Sequence, residues 1–319
     1  NDPVGHGYAS NTKFRIGSSG ATNSAGELRF AYTPPRQKGA TAKLIATCGT
    51  CGNTATKVIT VSPCDICTGG FGNPIQPGTG EKHQTEIDYS DTSAHPLGWS
   101  RNYRSFGNLS VGLGQGWAHA YAASVSASAT DTTAMQQTVR FGDGSKVIFS
   151  RADASAAWVA DNGKDTLVPV PAGWVATRAG DESRWLIDAA ANRLVSITQR
   201  NGWVMTMGYN PLNQLTSVTN AFGRSLQLEY DASGRISKVN LPDGRAIRYA
   251  FDSISRLIYV GYPDNSSKSY AYENGAFPFA LTGMVDESGQ RIATYAYDTQ
   301  GRATSTSHAG GAQAYSVNY

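Results

Sequence analysis

Four cysteines stand as two pairs, Cys48-x-x-Cys51 and Cys64-x-x-Cys67, with twelve residues between them. Two such pairs have the ligands for a tetrahedral zinc ion, and Cys51-Gly52 suits a metal knuckle. The same spacing serves two disulfides that pin a strand to the segment after it, the first expectation for an exported chain, with free thiols a third. A redox-active Cys-x-x-Cys needs a strand-then-helix context that surrounds neither pair. Which cysteine would pair with which does not follow from the sequence.

Other groups that could do chemistry have ordinary explanations. Gly17-Ser18-Ser19-Gly20 lacks the spacing of a nucleophile elbow. Gly112-x-Gly114-x-Gly116 lacks dinucleotide spacing, and Gln115-Gly116-Trp117 opens a strand rather than a helix. His6, His83, His95, His119 and His308 form no metal-spaced pair, and His6 and His83 are expected in glycine-rich loops or turns. Asp231, Asp252 and Asp298 stand where turns need an Asp to bond its own backbone. A glycosidase would need two carboxylates converging across a cleft, which a sequence of this kind does not demonstrate. Neither a catalytic set nor a cofactor is expected.

The elements behind these residues are repetitive. Asn192-Arg193, Asn213-Gln214, Gly234-Arg235 and Ser255-Arg256 start 21 residues apart, each followed by Leu or Ile. Tyr209-Asn210, Tyr230-Asp231, Phe251-Asp252 and Tyr272-Glu273 keep the same step, as do Gly202, Gly223, Gly244 and Asn265. Three markers in one phase identify a repeat architecture. After Glu273 the beat slips by four residues; Asn274-Gly-Ala-Phe-Pro278 reads as an inserted turn, and Tyr297-Asp298 through Gly301-Arg302 resumes the pattern.

Within one unit, Ser225-Leu-Gln-Leu-Glu-Tyr230 alternates, so Leu226, Leu228 and Tyr230 share a face. Asp231 to Gly234 turns the chain, Ile236 to Leu241 returns, and Pro242-Asp243-Gly244-Arg245 turns it again. A lone hairpin cannot bury its apolar face, so neighbours must stack into a long antiparallel sheet. The fold class expected is all-β, with no convincing helical periodicity anywhere.

With 319 residues the chain has room for two or three domains. Its 35 glycines, 16 tyrosines and 16% charged residues suit a turn-rich β protein. A formal charge of +3, without a basic run, argues against nucleic acid as a partner. No apolar run reaches membrane-spanning length. The start at Asn1 rather than Met reads as an internal or processed fragment of a longer protein.

Four segments are expected: a partial β-sandwich over 1–62, a Cys/Gly/Pro-rich linker over 63–77, a capping β domain over 78–185, and repeats over 186–319. In the first, Gly26 to Tyr32 alternates and stops at Thr33-Pro34-Pro35, while Thr41 to Ala46 and Thr54 to Val61 supply further strands. Ser100 to Ser105 is a strand with Arg101 and Tyr103 on one face, and the 112–116 turn delivers Trp117 to a core. Phe141-Gly142-Asp143-Gly144 is a hairpin turn. The capping block is expected to begin the same sheet as the repeats. Trp158, Trp174 and Trp185 are expected to fill a core, the rival being an exposed carbohydrate-binding row.

Tyr230-Asp231-Ala-Ser-Gly234-Arg235-Ile236, with the drifted copy Tyr297-Asp298-Thr-Gln-Gly301-Arg302-Ala303, resembles the YD motif of the RHS/YD-repeat proteins. The block before it resembles the domain of unknown function that precedes those repeats. Gly72-Asn73-Pro74-Ile75, Leu97 to Ser105 with its Arg101 and Tyr103, Gly114-x-Gly116-Trp117 and Phe141-x-Asp143-Gly144 stand in family order. The N-terminal strands resemble the end of a bacterial Ig-like domain. The resemblance implies a non-enzymatic, secreted or surface-exposed bacterial shell segment enclosing a C-terminal toxin or other cargo used against competing cells. Rival readings are a scaffold, filament or adhesin that pairs copies of itself through sheet edges, and a carbohydrate-binding surface.

Overall fold

The computed structural model describes residues 74–107, 111–127, 135–311 and 314–319, together with the backbone of four strands nearer the N-terminus. Those four are β1 (Gly5–Ala9), β2 (Thr12–Arg15), β3 (Thr41–Thr47) and β4 (Thr54–Thr60), in the order β2-β1-β3-β4. All pairings are antiparallel, with Tyr8 opposite Lys43 and Lys43 opposite Val58. They form one compact unit, residues 1–69 with 77–79. The four cysteines and the strand expected over Gly26 to Tyr32 lie outside the described residues. His6 is in β1 and His83 in a later strand, so neither occupies the loop expected for it: flanking glycines do not break a strand when both ladders are satisfied.

The second unit, residues 70–76 and 80–319, is built from three sheets. The longest has fifteen strands in strict sequence order, from Thr166–Val170 to Tyr315–Ser316. Each strand pairs only with its chain neighbours, as stacked hairpins require. The alternation read from sequence sets the faces: in Ser225–Tyr230, Leu226 and Leu228 are buried while Gln227 and Glu229 are exposed. Across the sheet Ile236, Val239, Ile247, Leu257 and Val260 are fully buried, each worth about 1.5–3 kcal/mol.

The turns explain the period. At 231–235, Gly234 N–H donates to the Asp231 carbonyl (3.0 Å) and Asp231 N–H to the Arg235 carbonyl (2.8 Å). The residue closing each such turn takes positive φ: 63° at Asn213, 75° at Gly234, 67° at Ser255 and 74° at Gly301. A bulge follows each, so Tyr209, Tyr230, Phe251 and Tyr297 face Leu215, Ile236, Leu257 and Ala303. The 21-residue marker is therefore a backbone requirement that Gly, Asn and Ser satisfy.

Up to Ala160 the capping block does not extend this sheet, although the sheet's first strands, Thr166–Val170 and Gly173–Arg178, fall within the 78–185 expected for the cap. Its strands β5 (Ile75–Gln76), β6 (Glu81–Ser90), β7 (Gly98–Arg104) and β8 (Trp117–His119) form a four-stranded sheet of their own. Another four strands, β9 (Ser124–Ala127), β10 (Gln136–Arg140), β11 (Lys146–Ser150) and β12 (Val159–Ala160), form a second. The expectation of a shared sheet fails because these capping strands pair only with one another, with no ladder to a strand of the long sheet. Where a linker was expected, Ile75 and Gln76 pair with Lys82 and Glu81 and are buried.

Candidate functional site: the seam between cap and repeats

The YD turn is a self-contained polar unit. Asp231 Oδ1 accepts the backbone N–H groups of Ser233 and Arg235, both at 2.9 Å, and Oδ2 accepts Arg235 Nε at 2.7 Å. Against partial desolvation, these bonds hold the Asp231 carboxyl below its ordinary range. Arg235 then reaches into the next unit, donating to the Asp252 carbonyl at 3.2 Å and lying 4.9 Å from the Phe251 ring centre. Tyr230 OH donates back to the Leu215 carbonyl at 2.9 Å, fifteen residues upstream, as Tyr209 does to Leu194 at 2.6 Å. Tyr297 bonds the Leu281 carbonyl at 2.7 Å, and Asp298 pairs with Arg302. Gly234 and Gly301 supply the positive φ. These eight motif residues therefore link consecutive hairpins, tip to tip.

The cap is laid across those hairpins by a second polar network, centred on Arg101. This side chain is wholly buried, donating from Nε to Asp88 Oδ2 at 2.5 Å and from Nη2 to Oδ1 at 2.9 Å. Tyr249 OH reaches Asp88 Oδ2 at 2.7 Å and Tyr262 OH reaches Oδ1 at 3.0 Å, while Arg101 Nη2 also donates to Tyr270 OH at 2.9 Å. One carboxylate on β6 thus collects a guanidinium from β7 and hydroxyls from two repeat units. Burial alone would lower the Arg101 pKa; the Asp88 charge overrides it and holds the pKa above its ordinary value. The Trp117 and Tyr270 rings lie 4.9 and 5.4 Å from the guanidinium carbon.

Neighbouring contacts continue along the seam. Trp99 Nε1 donates to Tyr249 OH at 2.8 Å and Trp117 Nε1 to Tyr272 OH at 2.9 Å. Tyr103 OH donates to the Phe279 carbonyl at 2.8 Å and accepts from Leu281 N–H at 2.9 Å, so it docks on the insertion that broke the period. Ile236 N–H donates to the Gly112 carbonyl at 2.7 Å and Ala303 N–H to that of Gly80 at 2.8 Å. Positive φ near 83° at Gly112 and Gly114 lets this loop lie against the turns; a Cβ on Gly114 would stand 2.5 Å from the Ser255 carbonyl oxygen. Lys82 is buried with Nζ 4.3 Å from the Tyr295 ring centre, and desolvation lowers its pKa to about 7. At the far end, Asn220 Nδ2 donates to the His95 carbonyl at 2.7 Å.

Sequence reasoning placed Arg101 and Tyr103 on one strand face and Trp117 in a core, and all three are buried in this seam. It missed Asp88, Lys82 and the tyrosine hydroxyls that receive the cap. Asp88 is the extra residue of a β-bulge between Ile87 and Tyr89, which turns the carboxylate inward and leaves Ile87 71% exposed. Alternation alone would place them the other way round. Trp185 is buried, edge-on to Phe141 at 5.2 Å, and Trp158 and Trp174 pack on each other, half-buried. The three therefore form no exposed row. Among the described residues no cluster of three or more His, Cys, Asp or Glu side chains could hold a metal ion.

This assembly, a hairpin-repeat sheet with a separate β cap locked onto it, defines a class that the comparisons confirm. Residues 188–319 match the family model described as Teneurin YD-shell, and residues 72–149 match DUF6531, a domain of unknown function. The repeats are thus similar to a YD shell, and the cap to the domain that precedes RHS/YD repeats. Similar solved structures include a crystal structure of TcdB2-TccC3 without its hypervariable C-terminal region: 10% identity, TM-score 0.30, covering 74% of this chain and 15% of that one. A TcdB2-TccC3-Cdc42 structure gives 13% identity and a TM-score of 0.31, covering 85% and 18%. The chain thus spans less than a fifth of the length of either. No curated protein matches the sequence. Among the described residues no helix is long and apolar enough to cross a membrane.

Proposed function

We propose that this chain is a non-enzymatic wall segment of a secreted or surface-displayed bacterial RHS-repeat protein, helping to enclose a C-terminal cargo of the toxin type used against competing cells. The observation that carries this reading is the commitment of its distinctive polar groups to internal bonds. Asp231, Arg235 and Tyr230 tie one hairpin to the next, and Asp88 and Arg101 tie the cap to Tyr249, Tyr262 and Tyr270 of the repeats. Such groups serve rigidity rather than turnover. The test is protease digestion of the full-length protein, downstream sequence included. The downstream segment should survive in the wild type and be cut in a variant whose seam is broken at Arg101; equal cutting in both would refute enclosure.

A self-associating scaffold is the second reading, and its support is the outer strand Thr166–Val170, where Val168 is exposed. Pro169 in that strand removes one ladder donor and works against it. Sedimentation of the purified protein separates the two, since a concentration-independent monomer eliminates the scaffold.

A further inference from the structure

The arginines that directly follow the positive-φ residue of an Asp-headed turn obey one rule, and Arg193, in the equivalent place after Asn192, breaks it. Arg235, Arg256 and Arg302 each direct Nε at the carboxylate four residues earlier, Asp231, Asp252 and Asp298. The Asn210–Gln214 unit keeps a neutral version of this bond, Nδ2 to Oε1 at 2.7 Å. Arg193 retains the rest of the arrangement. Its guanidinium carbon lies 4.1 Å from the Tyr209 ring centre and its Nη1 donates to Asn213, twenty residues on, as Arg235 does to Ser255. Four residues before Arg193, however, stands Ala189, and Asp188, opposite Arg193 in the ladder, accepts the Ala191 N–H at 2.6 Å. Arg193 Nε is buried and, among the described residues, has no hydrogen-bond partner.

Arg193 also lines a cavity of about 520 Å³ between the cap and the repeats. The lining includes Tyr121, Tyr209, Tyr230 and the exposed Leu212, and among the described residues it contains no Asp or Glu. His119, 4% exposed, lines it as well, and its Nδ1 likewise has no partner among the described residues. A concave site with aromatic walls, an exposed apolar rim and one cation lacking its carboxylate has a definite complement.

We propose that this cavity binds a small organic carboxylate, whose anionic group supplies to Arg193 the partner that Ala189 omits and whose apolar body packs among Tyr121, Tyr209, Tyr230 and Leu212. The recognition chemistry is that of the neighbouring units, with the carboxylate delivered from solution instead of from the chain. Recognition requires the charge, so a carboxamide of the same shape is excluded.

The experiment titrates benzoate, acetate and the neutral analogue benzamide into the purified chain by calorimetry and by ligand-observed NMR. Saturable binding of benzoate, weaker acetate and absent benzamide is the expected pattern. Ala189→Asp rebuilds the intramolecular pair and should weaken benzoate at least about tenfold, equivalent to about 1.4 kcal/mol, without lowering the melting temperature. Arg193→Gln should abolish binding, and it serves as the second variant should Ala189→Asp not fold. Failure of both carboxylates to bind the wild type overturns the proposal, as does equal binding of benzamide or undiminished binding to the folded variants.

Discussion

Arg101 and Asp88 make a two-pronged ion pair at 2.5 and 2.9 Å with both side chains fully removed from solvent, on strands that belong to the cap, and the tyrosines completing it belong to the repeats. The repeat hydroxyls reach this pair only when cap and repeats are docked, and Arg101 Nη1 has no hydrogen-bond partner among the described residues. Removal of the pair separates the cost of the charge from the cost of the contact. Arg101→Ala should lose about 3–5 kcal/mol, because Asp88 keeps its charge and only two hydroxyls. Arg101→Met with Asp88→Leu should recover much of that loss. Chemical denaturation of the three variants measures it; a smaller loss for the single substitution than for the double would contradict the model of a buried uncompensated charge.

The hydroxyl-to-carbonyl bond of the YD tyrosines skips one unit. Tyr209 and Tyr230 reach back fifteen residues, but Phe251 has no hydroxyl to offer the Ile236 carbonyl. Phe251→Tyr should therefore stabilise the chain by about 0.5–1.5 kcal/mol, and Tyr230→Phe should destabilise it by a similar amount. Thermal melts of the two variants should move in opposite directions.

Two glycines with nearly equal φ should respond differently to alanine. Gly244 at 84° has nothing within 4 Å of its would-be Cβ, whereas at Gly114, at 83°, that atom meets the Ser255 carbonyl at 2.5 Å. Gly244→Ala should cost about 1–2 kcal/mol of left-handed strain. Gly114→Ala adds a backbone clash and should also release the 112–116 loop. Hydrogen exchange at the Ile236 amide, which donates to Gly112, reports that release; unchanged protection there would count against it.

Stability should depend on pH from both sides. Desolvation lowers the His119 pKa to about 3, so between its ordinary value and 3 the unfolded chain binds the extra proton. His119 thus costs stability as pH falls through that window, and His119→Phe should flatten the slope. Lys82, lowered to about 7 by burial, acts in the alkaline range. From about pH 7 up to its ordinary value near 10.5 the unfolded state holds more protons, so stability rises with pH there. Lys82→Met should remove that rise, as denaturation midpoints between pH 6 and 10, read about one unit apart, would show.

The sequence by itself determined the long sheet. Alternation in segments such as Ser225–Tyr230 and the in-phase Asn, Gly and Ser of the turns are local, since strand faces and left-handed φ are settled within a few residues. It also placed Arg101 and Tyr103 on one strand face and Trp117 in a core, because strand parity and the glycine turn before Trp117 carry that information. What only the tertiary structure decided is what those residues meet. Asp88 turns inward through a bulge that inverts the parity of Ile87, and the capping strands form sheets of their own. Tyr249, Tyr262 and Tyr270 look like ordinary repeat aromatics until the cap supplies a charge for their hydroxyls. The same holds for Arg193, whose missing carboxylate is visible as Ala189 in the sequence but acquires meaning only beside a cavity. Contacts of this kind join residues 150 or more positions apart, as Trp99 and Tyr249 are, and no local propensity encodes them.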